Sequence, residues 1–262
     1  MTRFLNISLP ALLGVALLAA SAPMAHAQFA TEIADGHYDL EAAYDGTTLS
    51  LLIGVDAPLP GEPDEYDPAS TLYQLQSSAN AATNDRFARP AGSAYDFFGV
   101  PAGSDIWLSA VGSNDESIAP LIGLAAENIA TGVFVNDRIS LRLVGFTGSG
   151  QFSCYLPTVG VPPTPSYTTA NGISASDTAD LITGAGHQDF VFAFTAPGLY
   201  RLTFEATGTL IGGGTRTATN TYNFGVNYIN APVVVPEAGT APLLLGAGSL
   251  LFGGLVLRRR AR

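Results

Sequence analysis

The chain has 262 residues, eleven of them basic and 22 acidic, for a formal net charge of −11. Every basic residue is an arginine, and five sit at the two ends (Arg3, Arg258, Arg259, Arg260 and Arg262); the body between them carries six arginines against 22 acids, a net charge of −16. That balance disfavours nucleic acid and anionic lipid headgroups as partners of the body, since both demand basic patches.

The N-terminus reads as an export signal. Arg3 provides the positive start, residues 9–20 are apolar, and Ala25-His26-Ala27 is a small-x-small cleavage site, so the mature chain is expected to begin at Gln28. The body of about 210 residues that follows is long enough for an apolar core. Cys154 is its only cysteine, so no internal disulfide is available, and the Phe152, Tyr155 and Leu156 around it point to a buried, inert thiol.

Along the body the dominant period is two. Residues 37–44 and 47–55 are strand-like runs on either side of Asp45-Gly46, a strong hairpin signal, and Leu49, Leu51 and Ile53 form one apolar face. Residues 58–68 are a loop rich in proline and acid. Residues 71–75 resume an extended pattern, and 77–94 read as a long polar loop. Short apolar runs follow at 95–100, 106–110 and 121–125, and residues 139–146 alternate cleanly, with Ile139, Leu141 and Leu143 on one face. Gly148-Ser149-Gly150 predicts a hairpin from that strand into residues 151–156, and the three prolines of 159–165 mark a linker or a crossover between sheets. Residues 190–195 and 199–207 flank Ala196-Pro197-Gly198. Tyr200, Leu202, Phe204 and Ala206 face a core, and residues 217–226 pair back through Gly212-Gly213-Gly214. Many short strands between Gly/Pro turns predict an all-β fold, an antiparallel β-sandwich of Ig-like or jelly-roll-like kind, either one domain over 28–230 or two sub-sandwiches divided near 157–165.

Residues 241–257 form an uncharged apolar run at the lower length limit for a transmembrane helix, and the arginine cluster Arg258, Arg259, Arg260 and Arg262 follows at once. The positive-inside rule keeps that cluster in the cytoplasm and the body outside.

Few residues offer chemistry. Only His37 and His187 outlast signal removal, each in a Gly-His-x-Asp frame: Gly36-His37-Tyr38-Asp39 and Gly186-His187-Gln188-Asp189. In a strand, residues two apart share a face, so His37 and Asp39, or His187 and Asp189, present an imidazole beside a carboxylate. Two such pairs on neighbouring strands would make a mixed nitrogen and oxygen site for zinc or another divalent ion; the alternative is a pair of strand-start histidines, each bonded to its own aspartate. The loop acids Glu62, Asp64, Glu65 and Asp67 suit calcium by ligand type, but they lack the spacing of a dedicated calcium loop, and a solvated loop is the simpler reading. No Gly-x-Ser-x-Gly, His-Glu-x-x-His or P-loop occurs, so the expectation is a protein that is not an enzyme.

Two resemblances add to this. Val235-Pro236-Glu237, the apolar span and the terminal Arg258, Arg259 and Arg260 together resemble the PEP-CTERM sorting signal, with Ala238 where that family has its second proline. The resemblance implies a bacterial surface protein cut near the motif by an exosortase-type membrane protease, and it covers about the last 28 residues. Gly36-His37-Tyr38-Asp39-Leu40, Glu65-Tyr66-Asp67-Pro68, residues 95–103, 121–127 and 139–145, and residues 194–208 are similar to the choice-of-anchor M domain over about 35–227. That domain occurs with different anchors, and its actinobacterial relatives are associated with metal-type transport systems. The expected function is therefore an exported, surface-anchored, non-enzymatic module of the envelope or extracellular matrix, acting in adhesion, scaffolding or ligand capture, with matrix polysaccharide among its candidate partners. The alternatives are a surface protein that binds a divalent metal or metallophore through His37 and His187, and a carboxylate-based glycan hydrolase.

Overall fold

The computed structural model describes residues 29–56, 58, 60–75, 86–111, 117–158, 161–184 and 186–230. The export signal at 1–27, the sorting motif Val235, Pro236 and Glu237, the apolar span 241–257 and the arginines Arg258, Arg259 and Arg260 all lie outside the described residues. No helix among the described residues is long and apolar enough to cross a membrane.

The described residues form fifteen strands: β1 (Thr31–Ile33), β2 (His37–Tyr44), β3 (Leu49–Val55), β4 (Glu65–Tyr66), β5 (Thr71–Leu75), β6 (Arg86–Ala88), β7 (Asp105–Leu108), β8 (Leu121–Ala125), β9 (Arg138–Thr147), β10 (Phe152–Tyr155), β11 (Pro165–Thr168), β12 (Thr178–Ile182), β13 (Gln188–Phe194), β14 (Gly198–Thr209) and β15 (Thr215–Val226). One sheet runs β1-β5-β15-β14-β9-β12; the other runs β11-β10-β13-β8-β2-β3-β4, with β7 on β13 and β6 on β7. Most pairs are antiparallel. Three are parallel, β1 with β5, β15 with β5 and β2 with β8, so the expected wholly antiparallel arrangement becomes two mixed sheets. Residues Gln28–Ala231 form a single compact unit, and strands from both sides of 157–165 pair within it, as β9 does with β12 and β10 with β13.

The period-two faces build the core. Leu40, Ala42, Leu51 and Ile53 come from one sheet and Leu141, Leu202, Phe204 and Phe224 from the other, and all are buried in one cluster. Phe224 stacks on Tyr73 at 5.0 Å and on Phe192, across the core, at 5.5 Å between ring centroids. Burying rings of this size is the main stabilising term available to a chain without disulfides. Polar ties between sheets are few and well placed: the Tyr222 hydroxyl donates to Leu52 O, and the Tyr167 hydroxyl to Leu141 O, each at 2.9 Å. Cys154 is fully buried, and burial holds its thiol well above its ordinary pKa.

Asp45 and Gly46 do form the tip between β2 and β3, as a four-residue loop. Asp45 Oδ1 accepts from the Thr47 and Thr48 amides at 2.8 and 2.7 Å, the local bonding that makes aspartate a turn residue. The β14–β15 hairpin is also as expected, and Tyr200, Leu202, Phe204 and Ala206 are fully buried.

Three expectations need correction. Residues 95–100 do not form a strand: Ser93–Phe98 is a 3-10 turn ending at Gly99, whose φ is 71°. Phe97 and Phe98 then pack on Tyr155 at 5.7 and 6.1 Å, and Arg89 donates to the Gly92 and Tyr95 carbonyls and pairs with Asp96. The turn after residue 147 is not a hairpin, because β9 and β10 belong to different sheets. Every residue of β10 is buried: Phe152 and Cys154 lie in the main core and Tyr155 in a second apolar cluster, so both faces are covered, and β11 and β13 pair with its two edges. The acidic loop at 58–68 also contains β4, which adds to β3 at the sheet edge.

Candidate metal centre

The two histidine frames enter the same sheet from opposite ends, β2 running parallel to β8 and β13 antiparallel to it, and they overlap at the row of Gly123. Each histidine follows a glycine in the left-handed region, Gly36 at φ 87° and Gly186 at φ 71°, a backbone turn that a residue with a Cβ makes only at a cost. The rings meet edge to face with centroids 4.6 Å apart. The structure therefore brings His37, Asp39, His187 and Asp189 together.

The strands that carry them are not neighbours, as the sequence reading required; β8 lies between β2 and β13. In register, Asp39 and Asp189 both stand opposite Gly123. A Cβ on Gly123 would overlap Asp39 Oδ1, so the missing side chain is what lets the two outer strands share one site. The bonding also crosses between frames. His37 Nε2 lies 2.9 Å from Asp189 Oδ1 and His187 Nδ1 3.5 Å from Asp39 Oδ2, while within its own frame His187 Nε2 lies 3.4 Å from Asp189 Oδ1.

Two more acids complete the cluster. Asp56 Oδ2 lies 3.2 Å from His37 Nδ1, and Asp56 Oδ1 and Glu127 Oε2 each lie 3.9 Å from His187 Nδ1. Asp56 was within reach of sequence reasoning: the Asp45-Gly46 hairpin pairs Tyr38 with Val55 and so puts Asp56 beside His37. Glu127 and Gly123 carry no such signal, because their place depends on the parallel pairing of β8 with β2, strands more than seventy residues apart in the chain.

The electrostatics of the cluster are unbalanced. Four carboxylates surround two imidazoles, and among the described residues no arginine forms an ion pair with any of them. Both nitrogens of His37 face carboxylate oxygens, although a neutral imidazole has one N–H to donate. Asp39 is 2% exposed, and burial, only partly offset by the two histidines, pushes its carboxyl up to about 7. Asp39 Oδ1 and His187 Nδ1 are buried without a hydrogen-bond partner, which is costly for groups so far from water.

A cation answers each of these features. One ligand atom from each of His37, Asp39 and His187 lies within 4.8 Å of the others, and the same holds for Asp56, Glu127 and His187. Around a tetrahedral ion with bonds of about 2.0–2.2 Å, donor atoms are about 3.4 Å apart. The contact of His187 Nδ1 with Asp39 Oδ2, at 3.5 Å, already has that spacing. A donor set of imidazole and carboxylate suits zinc or another borderline divalent ion. Compared with family models, curated proteins and solved structures, the chain matches none.

Proposed function

We propose that this chain is an exported, surface-held, non-enzymatic module of the cell envelope that captures a divalent metal ion, free or carried by a metallophore, at the His37–His187 cluster. In this reading the β-body, an Ig-like or jelly-roll-like sandwich, is the receiving part. The export signal, the 241–257 span with its arginine cluster and cutting near Val235-Pro236-Glu237 by an exosortase-type protease deliver it and hold it outside the cytoplasm. One observation carries the choice of ligand: the only two histidines of the mature chain meet edge to face, and beside His187, over Gly123, lies a buried, unpartnered Asp39 oxygen. Adhesion to matrix polysaccharide, the broader expectation, has no comparable observation behind it.

The hydrolase alternative deserves a direct comparison, because a carboxyl held near 7 is also what a general acid needs. Asp39 is too enclosed for that work. At 2% exposure, with His187 against it, its carboxyl has little surface to offer a glycosidic oxygen, whereas a bare ion needs only the gap between the donors.

Zinc titration of the full chain by calorimetry tests the proposal. The unmodified protein is expected to bind one zinc at the histidines, and His37→Ala and His187→Ala to weaken it by about a hundredfold, a cost of about 2.7 kcal/mol for a lost ligand. Equal affinity in all three proteins refutes the assignment.

A further inference from the structure

The acids of the cluster divide between the two nitrogens of each histidine ring. Asp189 Oδ1 lies 2.9 Å from His37 Nε2, a hydrogen bond, and 3.4 Å from His187 Nε2. The other two nitrogens share a different acid. Asp56 Oδ2 lies 3.2 Å from His37 Nδ1, and Asp56 Oδ1 lies 3.9 Å from His187 Nδ1. Asp39 Oδ2, at 3.5 Å, and Glu127 Oε2, at 3.9 Å, also face His187 Nδ1. One carboxylate thus meets both Nε2 atoms, and the remaining acids gather on the Nδ1 side.

We infer that Asp189 is a positioning residue: it holds both imidazoles with the proton on Nε2, and so presents both Nδ1 atoms, together with Asp39, to one divalent ion. The inference rests on the proposed function and deepens it. It assigns the ion to one side of the cluster and takes Asp189 out of the set of ligands.

Three observations decide the side. An ionised carboxylate only accepts hydrogen bonds, so the His37 nitrogen 2.9 Å from Asp189 carries the proton, and a neutral ring has no second one for Nδ1. That contact is also shorter than the spacing of about 3.4 Å between two donors on one tetrahedral ion. Next, the side chain of Asp189 is 38% exposed and that of Asp39 3%. Water reaches the Asp189 side, whereas on the closed Asp39 side both His187 Nδ1 and Asp39 Oδ1 are buried without a hydrogen-bond partner. Last, Asp56 and Glu127 each offer an oxygen within 4.8 Å of the other and of a His187 nitrogen, so the negative charge that attracts a cation is concentrated on the Nδ1 side. A histidine that ligates through one nitrogen and donates to a carboxylate from the other is held in one tautomer and one orientation, and its ligating nitrogen is the more basic for it. Here a single carboxylate serves two rings. The register allows it, because Asp39 and Asp189 stand opposite Gly123 on the two strands that flank it, one aspartate to each side of the gap.

Nitrogen NMR of the full chain in detergent, with isotope-labelled histidine, tests the inference alongside zinc titration. His37→Ala and His187→Ala assign the signals. In the zinc-loaded protein both rings are expected to keep the proton on Nε2 and to show the metal-induced shift at Nδ1. Asp189→Ala is expected to mix the tautomers and to lower zinc affinity about tenfold to a hundredfold. Asp189→Asn keeps an accepting oxygen but makes a poor zinc ligand, so it is expected to recover most of that loss. The spectrum of the unmodified protein keeps the test valid if either variant impairs folding. A metal-induced shift at Nε2 of either ring overturns the inference and leaves the proposed function standing. So does Asp189→Ala with tautomers and affinity unchanged, or Asp189→Asn with no recovery, the mark of a lost ligand. Failure of the unmodified protein to bind zinc overturns the proposed function and this inference with it.

Discussion

Asp39 concentrates the stability cost of the site in one carboxyl group. In the unfolded chain it ionises near 3.8, and in the folded chain near 7. Between those values the unfolded form releases a proton that the folded form keeps, so the metal-free protein is expected to lose stability as pH rises from about 4 to 7. His187, His37, Glu127 and Asp56 are the charged or titratable groups that act on it. Asp39→Asn should therefore raise the melting temperature of the metal-free protein at pH 7 and flatten its dependence between pH 5 and 7, while weakening zinc. Thermal melts at the two pH values, with and without zinc, check all three. A second residue-scale prediction concerns the gap itself. Gly123→Ala places a methyl where Asp39 Oδ1 sits, so zinc affinity should fall about tenfold or more, while circular dichroism keeps its β signature.

At the scale of elements, the sheets depend on stacked aromatic rings contributed from both sides. Phe224 is fully buried between Tyr73 and Phe192, so Phe224→Ala should cost about 3–5 kcal/mol in denaturant unfolding. Ile229→Ala, at a side chain 76% exposed, should cost less than about 0.5 kcal/mol. The core faces were legible in the sequence because period two is a local property: Leu49, Leu51 and Ile53 could point only one way once β3 was a strand. The β9–β10 turn was not legible, since a glycine-rich turn looks the same whether it returns within a sheet or crosses to the other one. What decides it is that all four residues of β10 are buried, and that depends on strands arriving later in the chain. The candidate site divides along the same line. Its two histidines and two aspartates were visible as a repeated frame, and Asp56 followed from a hairpin register. Gly123 and Glu127 depend on a strand inserted between the frames, and no local pattern announces it.

For the whole molecule, the reading joins a receiving β-body to ends that deliver it. Terminal mass analysis of the protein from its native cell should find residues 1–27 removed, and a fraction cut near residues 235–238; intact ends on a cytoplasmic protein would break that link. The central claim is that the two histidine frames converge in order to hold metal. Anomalous diffraction at the zinc edge, from crystals grown with zinc, tests it most directly. The account predicts a peak within about 2.0–2.2 Å of one nitrogen each from His37 and His187, with an Asp39 oxygen completing the contact. A zinc-grown crystal with no peak between the two rings, and His37 still bonded to Asp189 and Asp56, would contradict it.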